Sequence, residues 1–261
     1  MMDFKDILPS ESIAMFVKNI LCYRNDDPNE KTQLPFFADG YPGIMFHKTS
    51  NGLYVMPHNK KMPDFFVYGQ TIHPIELKIE GCYDLIVFQL YPFVVKDLFG
   101  LNTKDLNENC FDLLQLKQYG VEKAIRQMKK NVDLQKRISI ISAFLFSIFQ
   151  LKKERIDYKI QQSIQLIIKT NGQLSVKQLR QQLSIGERTF ERRFVAQVGI
   201  SPKQFSKIIK FQLSLNQLKD NSYSKLTDVV YDNGFADQSH FIRVFKSYTR
   251  KTPKKFNSSL Q

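Results

Sequence analysis

Two groups of side chains in the C-terminal part of the chain have types and spacings suited to reading base edges. One is Arg188, Glu191 and Arg192; the other is Gln238, Ser239, Ile242 and Arg243, inside the stretch Thr227–Phe256. Advancing 100° per residue from Phe241 puts Ser239, Arg243 and Lys246 on the far side of a helix, with Gln238 and Ile242 flanking. The same construction from Phe190 turns Arg188 and Arg192 outward, with Glu191 beside them. A guanidinium can take guanine O6 and N7 together, a glutamate can accept from cytosine N4, and a glutamine can pair with adenine. Arg193, Lys203, Lys246 and Lys254, with Lys210, Lys251 and Lys255, suit phosphate, which positions a reader without specifying sequence. Arg193 and Arg250 serve equally well as intramolecular ion-pair partners. Taken alone, Thr227–Phe256 also reads as a helical hairpin with a solvated basic face.

The elements that would hold these groups are legible locally. Asn233-Gly234 is turn chemistry, Asp237 is a candidate N-cap, and Phe241, Val244 and Phe245 lie at i, i+3 and i+4, a core stripe. A copy lies 51 residues upstream. Phe190, Arg192, Phe194, Ser201, Pro202, Lys203 and Phe205 match Phe241, Arg243, Phe245, Thr252, Pro253, Lys254 and Phe256. Ser175 and Gln178 form a capping box, Ser201-Pro202 opens a long helix to about Lys219, and Gly199 ends the helix before it. A helix from Arg155 to Thr170, stopped at Asn171-Gly172, precedes them. A structural hairpin has no need to repeat its outward arginine, so the repeat favours a reader of two successive major-groove segments.

Charge points the same way. The 261 residues carry 38 Lys+Arg against 25 Asp+Glu, a net +13. Residues 1–154 hold 19 basic and 18 acidic side chains, whereas 155–261 hold 19 and 7, so the excess belongs to the C-terminal part and suggests a polyanion there. Three cysteines without a C-x-x-C pair fit a reducing compartment, and the N-terminal residues lack a leader's apolar core; a cytoplasmic location is expected. The longest uncharged apolar run, Ile138–Leu151, is 14 residues, short of the roughly 20 a spanning helix needs, so no membrane partner is expected.

The first half reads as β-rich. Residues 1–20 are expected to hold one short helix on Ile13, Phe16, Val17 and Ile20. Short apolar runs then alternate with turn residues to about Leu90. Ile75, Leu77 and Ile79 alternate with Glu76, Lys78 and Glu80 in a half-buried strand, and Ser50-Asn51-Gly52 predicts a hairpin. Tyr91–Gly100 reads as a helix ending at Gly100, and 102–116 as a loop leading into a helix. A small barrel or sandwich follows, either with a sensor pocket or with a solid Phe and Tyr core. Val121–Leu151 is a helical connector whose apolar part packs on the second domain or pairs with a second copy. His47, His58 and His73 are scattered, and no nucleophile, phosphate-loop or metal-ligand motif occurs. No catalytic residue, metal or cofactor is therefore expected, and the chain is not read as an enzyme.

Residues 160–261 resemble the DNA-binding domain of the AraC/XylS family. The resemblance rests on GFADQSHFIRVFK at 234–246 with TPKKF at 252–256, and on F-x4-G-I-S-P-x-x-F at 194–205. It implies seven helices, two helix-turn-helix units joined by a linker helix, and reading helices at Glu187–Val195 and Asp237–Phe245. Arg180, Val230, Arg250 and Asn257 depart from the pattern, which more often has small residues, a helix-ending Gly and Arg there. More loosely, Gly81–Gly100 is similar to the end of the cupin-like sensor portion of many members. That resemblance implies a homodimer under effector control. The expected fold class is α+β: a β-rich cupin-like domain (1–118), a helical connector with a dimerisation role (119–154) and an all-α double helix-turn-helix domain (155–261). The expected function is a sequence-specific DNA-binding transcriptional regulator. Its expected partners are double-stranded DNA, a small-molecule effector, a second copy and, for an activator, RNA polymerase. The competing reading is a non-specific nucleic-acid-binding or adaptor protein without an effector.

Overall fold

The computed structural model describes residues 3–106 and 109–258. The chain divides into two compact units. One is Met1–Phe36, Tyr41–Gln70 and Ile75–Ile156; the other is Phe37–Gly40, Thr71–Pro74 and Asp157–Gln261.

The first unit is a β-rich layer structure. A six-stranded antiparallel sheet has the order β1 (Asp3–Ile7), β2 (Val17–Asn25), β9 (Tyr83–Leu90), β4 (Gly43–Thr49), β7 (Phe65–Tyr68), β10 (Cys110–Asp112). A four-stranded sheet has the order β3 (Lys31–Phe36), β8 (Ile75–Glu80), β5 (Leu53–Met56), β6 (Lys60–Lys61). Alternation works as expected in β8, where Leu77 and Ile79 are buried and Lys78 is not. Leu34, Met45, Leu53, Phe66, Leu77 and Val87, drawn from both sheets, share one buried cluster.

Three sequence expectations fail here. No helix occupies the described part of 1–20: Ser10–Val17 makes helix-like turns, with the Ala14 N–H donating to Ser10 and the Val17 N–H to Ile13, and the chain then enters β2. The apolar spacing was that of a turn, and Ile20 belongs to a strand paired with β9 opposite Phe88. Ser50–Gly52 is a turn, with Gly52 at φ +94°, but not a hairpin: β4 pairs with β9 and β7, and β5 pairs with β8 and β6. The turn passes the chain from one sheet to the other. The expected loop at 102–116 contains β10, paired with β7, followed by a 3-10 turn at Leu113–Gln115; positions 107–108 of that loop lie outside the described residues. Helix α1 (Val94–Phe99) does end at Gly100, which is left-handed and donates to Lys96.

The connector is two helices, α2 (Val121–Lys130) and α3 (Leu134–Lys152), separated at residues 131–133 where Asp133 caps α3. Both belong to the first unit, and α3 packs on the β-rich layer of that unit. Phe149 stacks on Phe16 and Phe144 tilts against Phe65. Arg137, 2% exposed, donates to Asp84 at 2.9 Å and to the carbonyls of Met128 and Asn131, tying the α2–α3 junction to β9. Leu134–Arg155 is long and apolar enough to cross a membrane by length and composition. The burial of Ile138, Ile141, Leu145 and Ile148 gives its apolar face another use.

The second unit is helical. Its elements are α4 (Tyr158–Lys169), α5 (Val176–Gln182), α6 (Glu187–Val198), α7 (Pro202–Lys219), α8 (Leu226–Asp232), α9 (Gln238–Thr249) and α10 (Pro253–Asn257), seven helices among the described residues.

Candidate nucleic-acid interface

Each candidate reading helix is held by a local stop and start written in the sequence. Before α5, Ser175 Oγ accepts from the Gln178 N–H at 3.2 Å, and Gln178 Oε1 accepts from the Ser175 N–H at 2.9 Å. The turn into α6 closes with the Ile185 N–H on the Arg180 carbonyl at 3.0 Å. The equivalent turn into α9 closes with the Phe235 N–H on the Val230 carbonyl, also at 3.0 Å. These bonds are offset by 50 residues, while α6 and α9 are offset by 51. The second turn is therefore one residue longer, and the extra position lets Asp237 cap α9 by accepting from the His240 N–H at 2.7 Å. Asn233 fixes the second turn further, its amide donating to Val229 and to Gln217 of α7.

Behind each helix stands the same aromatic support. Phe194 meets Phe205 with centroids 5.9 Å apart, and their counterparts Phe245 and Phe256 meet at 5.5 Å. Phe190, Phe194, Phe241 and Phe245 are all fully buried, each contributing up to about 3 kcal/mol of burial energy. Ser201 and Thr252 cap α7 and α10, each followed by a proline at the first helical position.

With their backs buried, the helices present the expected faces. Arg188, Glu191 and Arg192 are exposed on α6; Gln238, Ser239, Arg243 and Lys246 are exposed on α9, with Ile242 half-buried between them. Lys203 and Lys254 are exposed at the starts of α7 and α10. Arg193 has the other of its two readings: its guanidinium meets the Asp157 carboxylate at 2.9 and 2.5 Å, and that pairing raises its pKa. The pair joins α6 to the start of α4. Two departures from the family pattern also acquire partners. Arg180 meets Glu187 at 3.4 Å across the first turn, and Asn257 donates to the Tyr223 hydroxyl at 2.9 Å.

Two short helices with buried aromatic backs, exposed polar fronts, one-turn approaches and a shared linker helix make a double helix-turn-helix. A family model described as a helix-turn-helix domain matches residues 179–259. The C-terminal domain is of the AraC type. A second model, described as a domain of unknown function (DUF6597), matches residues 5–112. An uncharacterized HTH-type transcriptional regulator from Haemophilus influenzae is 24% identical over 113 residues, which is 43% of this chain and 37% of that protein's length. Among solved structures, ToxT from Vibrio cholerae is 12% identical with a TM-score of 0.47, covering 92% of this chain and 97% of its own. The AraC-like transcriptional activator CuxR is 12% identical with a TM-score of 0.30, covering 83% and 95%.

One feature of the AraC-type domain was not assembled from the sequence. A cleft of about 570 Å³ is walled by Gly172–Val176 before and at the start of α5, by one stripe of α7, and by Gly234, Phe235 and His240 at the second turn. Its α7 stripe carries Lys203, Ser206, Lys207 and Lys210. The spacing i, i+3, i+4, i+7 was readable, but the facing wall comes from residues distant in sequence.

Proposed function

We propose that this chain is a sequence-specific DNA-binding transcriptional regulator that reads two successive major-groove segments with α6 and α9. One observation carries the reading: Arg192 and Arg243 stand exposed at equivalent positions on two helices with equivalent aromatic supports. Arg188, Glu191, Arg192, Gln238, Ser239, Ile242 and Arg243 would contact base edges, and Lys203, Lys246 and Lys254 would contact phosphate. The concentration of positive charge in residues 155–261 supports the electrostatic part of this account. On this reading the first unit is the control module, the regulator works as a homodimer, and neither chemistry nor a cofactor is required.

Selection of bound duplexes from a random pool by the full-length chain tests the proposal. The expected result is a consensus with two short blocks about one helical turn apart per protomer, doubled if the regulator is a dimer. A bound pool without a consensus would support the competing reading, a non-specific nucleic-acid or adaptor protein.

A further inference from the structure

We propose that the cleft between the two helix-turn-helix units is a binding site for a small organic anion, a carboxylate or phosphate carried on a short apolar body. The ammonium groups of Lys207 and Lys210 carry the proposal on one wall, which Lys203, given to DNA phosphate above, also lines, and among the described residues none of the three lies in an ion pair. Between them sits Ser206, 9% exposed, whose hydroxyl is buried without a hydrogen-bond partner. That is unusual within this chain. The helical serines Ser147, Ser163, Ser214 and Ser247 each donate to the carbonyl three residues back, and Ser206 does not. From the opposite wall His240 contributes a second buried, unpartnered polar atom, Nδ1. Both atoms stand unsatisfied among the residues of one basic cleft, and an anion oxygen there would accept from the Ser206 hydroxyl.

The remaining walls supply shape. Phe235, edge-on to His240 at 5.8 Å, together with Leu174 and Val176, gives an apolar side to the cleft. Gly172 lets this wall approach α7 closely: it lies at φ +70°, and a Cβ there would stand 2.5 Å from the Ser206 carbonyl oxygen. Lys210 already reaches across, donating to the Gly234 carbonyl at 2.9 Å, and burial lowers its pKa. The cleft volume falls within the ordinary range of small-molecule sites, roughly 300–1,000 Å³. Its walls come from both helix-turn-helix units, so an occupant would bear on how they are held. That consequence for DNA affinity rests on the function proposed above; the binding itself does not.

Titration calorimetry and thermal melting of the full-length chain, at constant ionic strength, test the site with inorganic phosphate and benzoate as separate probes and chloride as reference. Saturable binding of at least one probe is expected. Lys207→Gln should weaken it about tenfold, Lys207→Arg should retain it, and Lys159→Gln, a change at an exposed lysine on α4, should leave it unchanged. Ser206→Ala should melt no lower than the parent without anion, since it removes an unsatisfied hydroxyl, yet should lose the anion-induced rise in melting temperature. Equal loss in Lys159→Gln, or no saturation by either probe, would overturn the proposal. So would displacement of the probe by any duplex together with a salt slope reduced by about one in Lys207→Gln, which would assign the cleft to a DNA phosphate. Phosphate binding without benzoate binding would specify the anion. Normal anion binding beside a failed consensus selection would separate this site from the regulator reading.

Discussion

Arg192 and Arg243 share a position, but their neighbours differ: Arg188 and Glu191 flank one, Ser239 and Ile242 the other. The first helix therefore carries two guanidinium groups able to take guanine, and the second carries one beside an apolar side chain able to meet a thymine methyl. Arg192→Ala should relax preference at one or two base pairs of the selected site by ~1–3 kcal/mol, measured by competition binding against single-base variants. Uniform weakening across all sites would move Arg192 to the phosphate set. His47 offers a prediction of a different kind. It is buried in the β-rich unit, and burial lowers its pKa, opposed by Asp64 and by the backbone of Pro63 and Met62. The unfolded chain then binds the proton more readily, so stability should be full above the ordinary histidine pKa of about 6.5 and should fall as pH drops below it. A pH series of urea unfolding should show that slope, and His47→Leu should flatten it. An unchanged slope in the variant would place the acid sensitivity elsewhere. Arg193 marks the limit of residue-scale reading. Its charge was visible, but the carboxylate that claims it lies 36 residues away.

The helical elements were legible because their signals are local. Capping at Ser175, Ser201, Asp237 and Thr252 operates within one turn, and each appears where the sequence put it. The two copies also expose each other's compromises. Ser184 takes φ +50° where its counterpart Gly234 takes +66°, and Arg250 takes φ +58° where Gly199 takes +88°. Only glycine adopts that region without a steric penalty. Ser184→Gly and Arg250→Gly should each stabilise the helical unit by about 1 kcal/mol, read as a higher urea midpoint at unchanged m-value. An unchanged midpoint would show that these side chains have contacts offsetting the strain. The β elements were harder. Their alternation was readable in β8, but a turn residue such as Gly52 reports only that the chain bends, not which strands pair on either side. The stretch Ser10–Val17 shows the same ambiguity in miniature: helical spacing sustained for one turn does not make a helix when the next residues enter a ladder.

At the scale of the whole molecule, the division of charge is the feature with the most direct consequence. With about six phosphates neutralised, raising salt from about 50 to about 200 mM should weaken DNA binding ~10³-fold, and the slope should persist on non-specific duplex. Fluorescence anisotropy across a salt series measures it, and a flat response would sink the electrostatic account. The helical repeat, its capped boundaries, the outward arginines and the charge excess were determined by sequence alone. Each depends on residues within a turn of one another, or on comparing the chain with itself. The pairing of β4 and β5 into different sheets, the seating of α3 on its own β-rich unit, the Asp157 partner of Arg193 and the cleft that gathers Ser206 with His240 were decided only by the tertiary structure. Apolar burial is non-directional: a sequence states which face must be covered, and only the packed chain shows what covers it.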